Sequence, residues 1–286
     1  MIVVMIFITL GGAVAVGSLS HNVIISNNLF INNTVSNLGG AVTVNNLNPG
    51  LFLYGNSFHL NKAQQGGGIF FSTTNDDVSV ENCSFTENFA VNFGGAITFA
   101  QGHTGFSLSN STFVMNTATT SGGAIYFGFS IVESTVTGCW FRMNKVYDYG
   151  GGAIAMASFN DIEVLDTIFH DNEAYFGGAI FTLLKAKEFV LTRSSVTNNI
   201  AKFGGGLYIG VISEDITLKS VDISRNYAAV DGGGIYVDVD SKFEMSDSIL
   251  LSNFAGSRGG GLYYESDNLM ILSSSLESNS AGKSGG

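Results

Sequence analysis

Apolar and polar positions along the chain recur on two scales. Over three or four residues they alternate, as in Ala41-Val42-Thr43-Val44, Ala124-Ile125-Tyr126-Phe127 and Gly234-Ile235-Tyr236-Val237. Over 26 to 29 residues the whole arrangement repeats. Each copy is marked by Gly-Gly, beginning at Gly11, Gly39, Gly66, Gly94, Gly122, Gly151, Gly177, Gly204, Gly232 and Gly259, with half of an eleventh copy at Gly285. Periods of this length belong to solenoids, propellers and arrays.

Each copy predicts three short strands. The first follows Gly-Gly. The second carries apolar residues five and seven positions before a Phe slot. The five-before slot runs Ile25, Leu53, Val80, Leu108, Val136, Val164, Leu191, Leu218, Met245, Ile271, and in the seven-before slot only Ser134 breaks the apolar series. The third strand carries the Phe slot itself: Phe30, Phe58, Phe85, Phe113, Phe141 and Phe169, then Val196, Ile223, Leu250 and Leu276. The change to aliphatics predicts a core that alters shape along its axis. Such period-two alternation of β-branched and aromatic residues is the strand signal.

Three residues past the Phe slot stands Asn in every copy: Asn33, Asn61, Asn88, Asn116, Asn144, Asn172, Asn199, Asn226, Asn253 and Asn279. Ala follows two residues later except at Val35 and Val146. No stretch sustains helical spacing, a propeller blade needs ~40 residues, and the leucine-rich pattern is missing. The expected fold is all-β: a single-stranded parallel β-helix of about ten coils, each pairing with the next and burying what no coil can bury alone. At ~4.8 Å per coil the rod is roughly 48 Å long. The Asn column is then a structural ladder, with Asn accepting left-handed backbone angles at a turn and bonding the coil below. Gly-Gly supplies a sharp corner and close backbone approach.

Charged residues make up 12% of the 286, against ~25% in ordinary domains, and 23 Phe argue for a real core. A net charge of −11 opposes nucleic-acid binding; the acids are scattered and read as solubilising. Cys83 and Cys139 occupy one slot with Ser111 between them, so stacking puts them about two rungs apart, beyond the ~7 Å reach of a disulfide.

No catalytic constellation emerges. Glycoside chemistry needs converging carboxylates, yet Asp76-Asp77 is the only adjacent Asp pair, and it sits in a loop. Asp231, Asp238 and Asp240 suggest at most a weak Ca²⁺ site. His21, His59, His103 and His170 are read as occupying unrelated slots, and no Ser/His/Asp or Cys/His grouping is placed on adjacent coils. No cofactor or metal is expected. The variable segments follow the first strand, at 45–50, 72–77, 100–105, 128–130, 157–161, 184–188, 210–215, 238–242 and 265–268. In solenoids such segments map to one face, often the binding face.

Gly-Gly-Ala-[Ile/Leu/Val] combined with Phe-x-x-Asn at this period resembles the chlamydial polymorphic outer-membrane protein repeats, over residues 22–286, and looks similar to pectin-lyase-like adhesins. The resemblance implies a right-handed parallel β-helix, surface-exposed in the manner of an autotransporter passenger and used for adhesion. The expected function is accordingly a non-enzymatic, secreted or cell-surface repeat protein, at the outer membrane if bacterial, binding a host protein or glycan through loops on one face. The alternative is a carbohydrate-active lyase or hydrolase, or a carbohydrate-binding module. Residues 1–21 are set apart as a signal-like or truncated start leading into the first Gly-Gly. The stop within a motif at Gly285-Gly286 reads as a fragment, with any membrane association supplied by other segments. Asn32, Asn82 and Asn110 begin Asn-x-Ser/Thr sequons.

Overall fold

The computed structural model describes residues 12–285. Among them three ten-stranded sheets run along a rod, each receiving one strand per coil. Sheet I extends from Val14–Val16 to Leu262–Tyr264, sheet II from Ile24–Ser26 to Asn268–Leu272, and sheet III from Leu29–Ile31 to Ser275–Glu277. Neighbouring coils pair in parallel, copy against copy, as in Phe85↔Phe113 and Leu108↔Val136. The predicted β-solenoid of three strands per coil is the fold adopted. Sheet I already includes Val14–Val16, paired with Val42–Val44 ahead of the boundary at residue 22. The leader-like or truncated start at residues 1–10 lies outside the described residues.

The register follows from the Phe slot. Phe30, Phe58, Phe85, Phe113, Phe141 and Phe169 stack with ring centroids 4.6–5.0 Å apart and planes within 8°. A slip of one residue would turn every such ring to solvent. A second stack, Phe71–Phe99–Phe127, lines sheet I. Beyond the three sheets, the segment after each ladder Asn forms a fourth, shorter ladder, usually two residues per coil, such as Thr117–Ala118 against Lys145–Val146.

The corners share one rule. The residue before each ladder Asn is left-handed, from Asn32 (φ 52°) through Leu60, Met115 and Arg225 to Ser278 (φ 54°). Sequence reasoning assigned that angle to the Asn itself. The structure moves it one residue back, where side chains of any type accept it, so backbone strain does not explain the Asn. Its hydrogen bonds do. Asn116 Nδ2 donates to Phe85 O (2.9 Å) and to Asn144 Oδ1 (3.0 Å), while its own Oδ1 accepts from the N–H and Nδ2 of Asn88. The same pattern links Asn33 to Asn279, and Asn61 through Asn253 are buried.

Two further corners repeat the device with other side chains. In the slot shared by Cys83 and Ser111, Cys83 N–H donates to Ser111 Oγ, and Thr167 N–H donates to Ser194 Oγ. After the sheet I strands a third column holds Asn48, Asn75, His103, Asn160, Ser213 and Ser241, all buried. Two segments expected to be loops, 100–105 and 128–130, are largely strand instead. Ile97–Thr104 pairs with Ile125–Val132 as far as Thr104↔Val132, because His103 and Ile131 both turn inward there.

His103 is the one ionisable member of this column. Its Nδ1 meets Asn75 N and O at 3.1 and 2.9 Å, and burial pushes its pKa below the ordinary 6.5. The unfolded chain therefore binds a proton that the folded rod resists. Its contribution to stability is full above about pH 6.5 and declines as pH falls below it. His103→Asn, the residue present at Asn75 and Asn160, is expected to flatten the pH dependence of the unfolding midpoint below that pH. Parallel wild-type and variant curves would contradict this.

Candidate functional site

The strands of sheet I turn alternate residues outward, and that outward column becomes aromatic toward the C-terminal half. It reads Thr43, Phe70, Thr98, Tyr126, Ala155, Phe181, Tyr208, Tyr236 and Tyr263, one per coil; Tyr126, Tyr208 and Tyr263 are half-buried and the others, Phe181 and Tyr236 included, are buried outside the main core. From Phe181 the ring centroids follow at 5.6, 4.8 and 5.0 Å. A flanking column just before Gly-Gly adds Phe176 and Phe203, stacked at 5.6 Å. Tyr149 meets Phe176 and Phe181 edge-on.

The face changes depth near the sixth coil, where Ala155 and Gly150 replace larger residues. Phe181 leans over Gly150 so closely that a Cβ there would enter the ring. Beside it opens a cavity of about 240 Å³ lined by Tyr149, Phe176, Phe181, Leu183, Leu184, Tyr208, Val211 and Asp238. Leu184, Val211 and Asp238 belong to the variable segments 184–188, 210–215 and 238–242, so these segments form part of the rim.

Hydroxyls on this face are anchored one coil onward. Tyr208 donates to Asp238 Oδ2 (2.6 Å), and Tyr236 donates to Glu265 Oε2 (3.0 Å). Burial first, and the adjoining carboxylate second, push both phenols up from their ordinary range, which keeps them as neutral donors. At the far end Arg258 lies over Tyr263 at 4.3 Å and forks onto the buried Asp231 through Nε and Nη2.

The ladder Asn residues form a continuous internal column and do not reach this face. The acids considered for Ca²⁺ are dispersed: Asp231 is held by Arg258, Asp238 by Tyr208, and Asp240 is an exposed corner residue. Among the described residues no three His, Cys, Asp or Glu converge. Asp76 accepts from Thr104 N–H. Cys83 and Cys139 are free thiols, and burial pushes Cys139 up to about 12.

Two sequence expectations need correction. His59 and His170 share a slot, each following a Phe of the stack, although four coils separate them. A hydroxyl–imidazole–carboxylate chain also exists on adjacent coils: Thr197 Oγ1 lies 2.9 Å from His170 Nδ1, and His170 Nε2 lies 3.1 Å from Asp171 Oδ2. The hydroxyl comes from Thr197, the residue paired with His170 on the next coil, and not from a Ser. This chain is on sheet III, away from the residues that line the cavity.

Three parallel sheets, each taking one strand from every coil, define a parallel β-solenoid. Residues 128–281 match the model of the right handed beta helix region, so the chain belongs to the right-handed β-helix family. No curated protein and no solved structure matches it.

Proposed function

We propose that the chain is a non-enzymatic binding rod of the cell exterior that holds a glycan along the outer face of sheet I. The observation that carries this is the row Phe181–Tyr208–Tyr236–Tyr263 beside an open cavity. Ligand sites are concave, apolar and aromatic, with a few fixed polar groups. A sugar offers matching chemistry, with C–H groups for the ring edges and the aliphatic wall of Leu183, Leu184 and Val211, and hydroxyls for the Tyr hydroxyls and their carboxylates. One ring per coil along the axis suits a linear polymer lying lengthwise, whose units are comparable in length to the coil spacing.

The Gly-Gly-Ala-Ile and Phe-x-x-Asn resemblance to polymorphic outer-membrane repeats supports a surface-exposed, adhesin-type role. A glycan panel that includes polygalacturonate, assayed separately for binding and for chain shortening, tests the reading. Binding without shortening is expected. Turnover would overturn it in favour of a carbohydrate-active enzyme, with the His170–Thr197 chain the first place to look.

A further inference from the structure

The cavity has one charged lining residue, Asp238. Its Oδ2 accepts the Tyr208 hydroxyl and its Oδ1 accepts the N–H of Val239 at 2.8 Å. A carboxylate offers about four acceptor sites, so both oxygens can take further donors. The fork is thus fixed in direction and incompletely used.

The basic residues of this face are engaged elsewhere. Arg258 is bound to Asp231, and Lys202 lies over Tyr175 with Nζ 2.6 Å from its hydroxyl. Lys185, on the rim segment 184–188, lies over Phe159 at 5.5 Å. Further along the face Glu265 accepts from Tyr236, and Asp240, two residues beyond Asp238, is exposed. Tyr208 cannot offset the carboxylate, since its phenol stays neutral. The walls are otherwise aromatic and aliphatic. In such a partly desolvated site, charge-assisted hydrogen bonds are roughly twice as strong as neutral ones.

We propose that this cavity takes a protonated amino group of the bound glycan. Asp238 is its counter-ion, and Leu183, Val211 and the surrounding rings enclose the sugar's apolar side. The preferred ligand is therefore an amino sugar with a free, not acetylated, nitrogen, and uronic acids are repelled. This assignment rests on the glycan reading above.

Three oligosaccharides of equal length separate the two ideas in a calorimetric titration at a pH where the amine is protonated: fully deacetylated glucosamine oligomer, its N-acetylated counterpart, and oligogalacturonate. The amine oligomer is expected to bind at least ~10-fold tighter than the acetylated one, with oligogalacturonate weakest. Asp238→Asn keeps an acceptor for Tyr208 and is expected to retain the wild-type unfolding midpoint. It should bring the amine and acetylated oligomers within about twofold of each other. If the acetylated or uronic oligomer binds as tightly as the amine, or if Asp238→Asn keeps the preference, the amine assignment fails while the glycan reading stands. If none of the three binds, both fail.

Discussion

Asn116→Ala is expected to destabilise the rod by about 3–5 kcal/mol, near the top of the range for one substitution. Three groups lose a partner when this amide is removed. The backbone N–H of Asn88 and one Nδ2 hydrogen of Asn88 lose the Oδ1 acceptor, and the Phe85 carbonyl loses its Nδ2 donor. Asn116 is fully buried, and each orphaned buried group costs roughly 1–3 kcal/mol. Asn144 is less affected, because its Oδ1 still receives the backbone N–H of residue 116. Solenoid stability is a sum over coils and their interfaces, so the weakened coil is expected to unfold first. Denaturant unfolding, with hydrogen exchange to locate the opening, measures both. A loss under about 1 kcal/mol would show that the Asn column does not hold the coils together.

Gly123→Ala is expected to be comparably severe for a steric reason. The new Cβ would overlap the carbonyl oxygen of Gly152 and lie 2.8 and 2.9 Å from the N and O of Lys145. These are backbone atoms of the next coil, and no rotamer can relieve the clash. Overpacking of this kind costs about 1–3 kcal/mol even where side chains can yield, and here the coils themselves must part. Gly68→Ala provides the contrast. The equivalent position is already Ala at Ala41, Ala96, Ala124, Ala153 and Ala179, so the coils make room for a methyl there, and at Gly68 only a small shift from Ala96 O, at 2.9 Å, is required, against the outright overlap with Gly152 O at Gly123. That substitution is expected to change stability by less than about 1 kcal/mol. Equal effects of the two alanines on the unfolding midpoint would contradict the assignment.

The period, the three strands and the stacked apolar slots were legible in the sequence because identical positions lie on top of one another. Any residue that suits one coil must suit its neighbours, so the pattern repeats openly from Phe30 to Phe169 and from Asn33 to Asn279. The left-handed corner was misplaced because its occupants, Leu60, Glu87, Met115 and Arg225 among them, share no chemistry that would mark it. The extra strand at 100–105 was hidden because His103 and Gly102 look like loop residues until His103 is seen to point inward.

The candidate face was harder to see for a related reason. Positions of this column meet a different neighbour in each coil, Leu38 at Thr43, Phe93 at Tyr126 and Gly150 at Phe181, so Thr, Phe, Tyr and Ala succeed one another in it. The signal could have been found by reading the middle residue of each first strand down the repeat, where Phe181, Tyr208, Tyr236 and Tyr263 follow without interruption. The cavity itself draws on several successive coils: Tyr149, Phe176, Tyr208 and Asp238 lie 27 to 32 residues apart in sequence. Only the register brings them together.

The division of labour between an internal ladder and an external aromatic face is tested most directly by an exchange footprint. Amide hydrogen exchange of the rod is measured with and without the tightest oligosaccharide of the glycan panel. Added protection is expected around Phe176–Leu184, Tyr208–Val211 and Tyr236–Asp238, with sheets II and III unchanged. Protection centred on His170 and Thr197, or spread along the sheet III face, would contradict it.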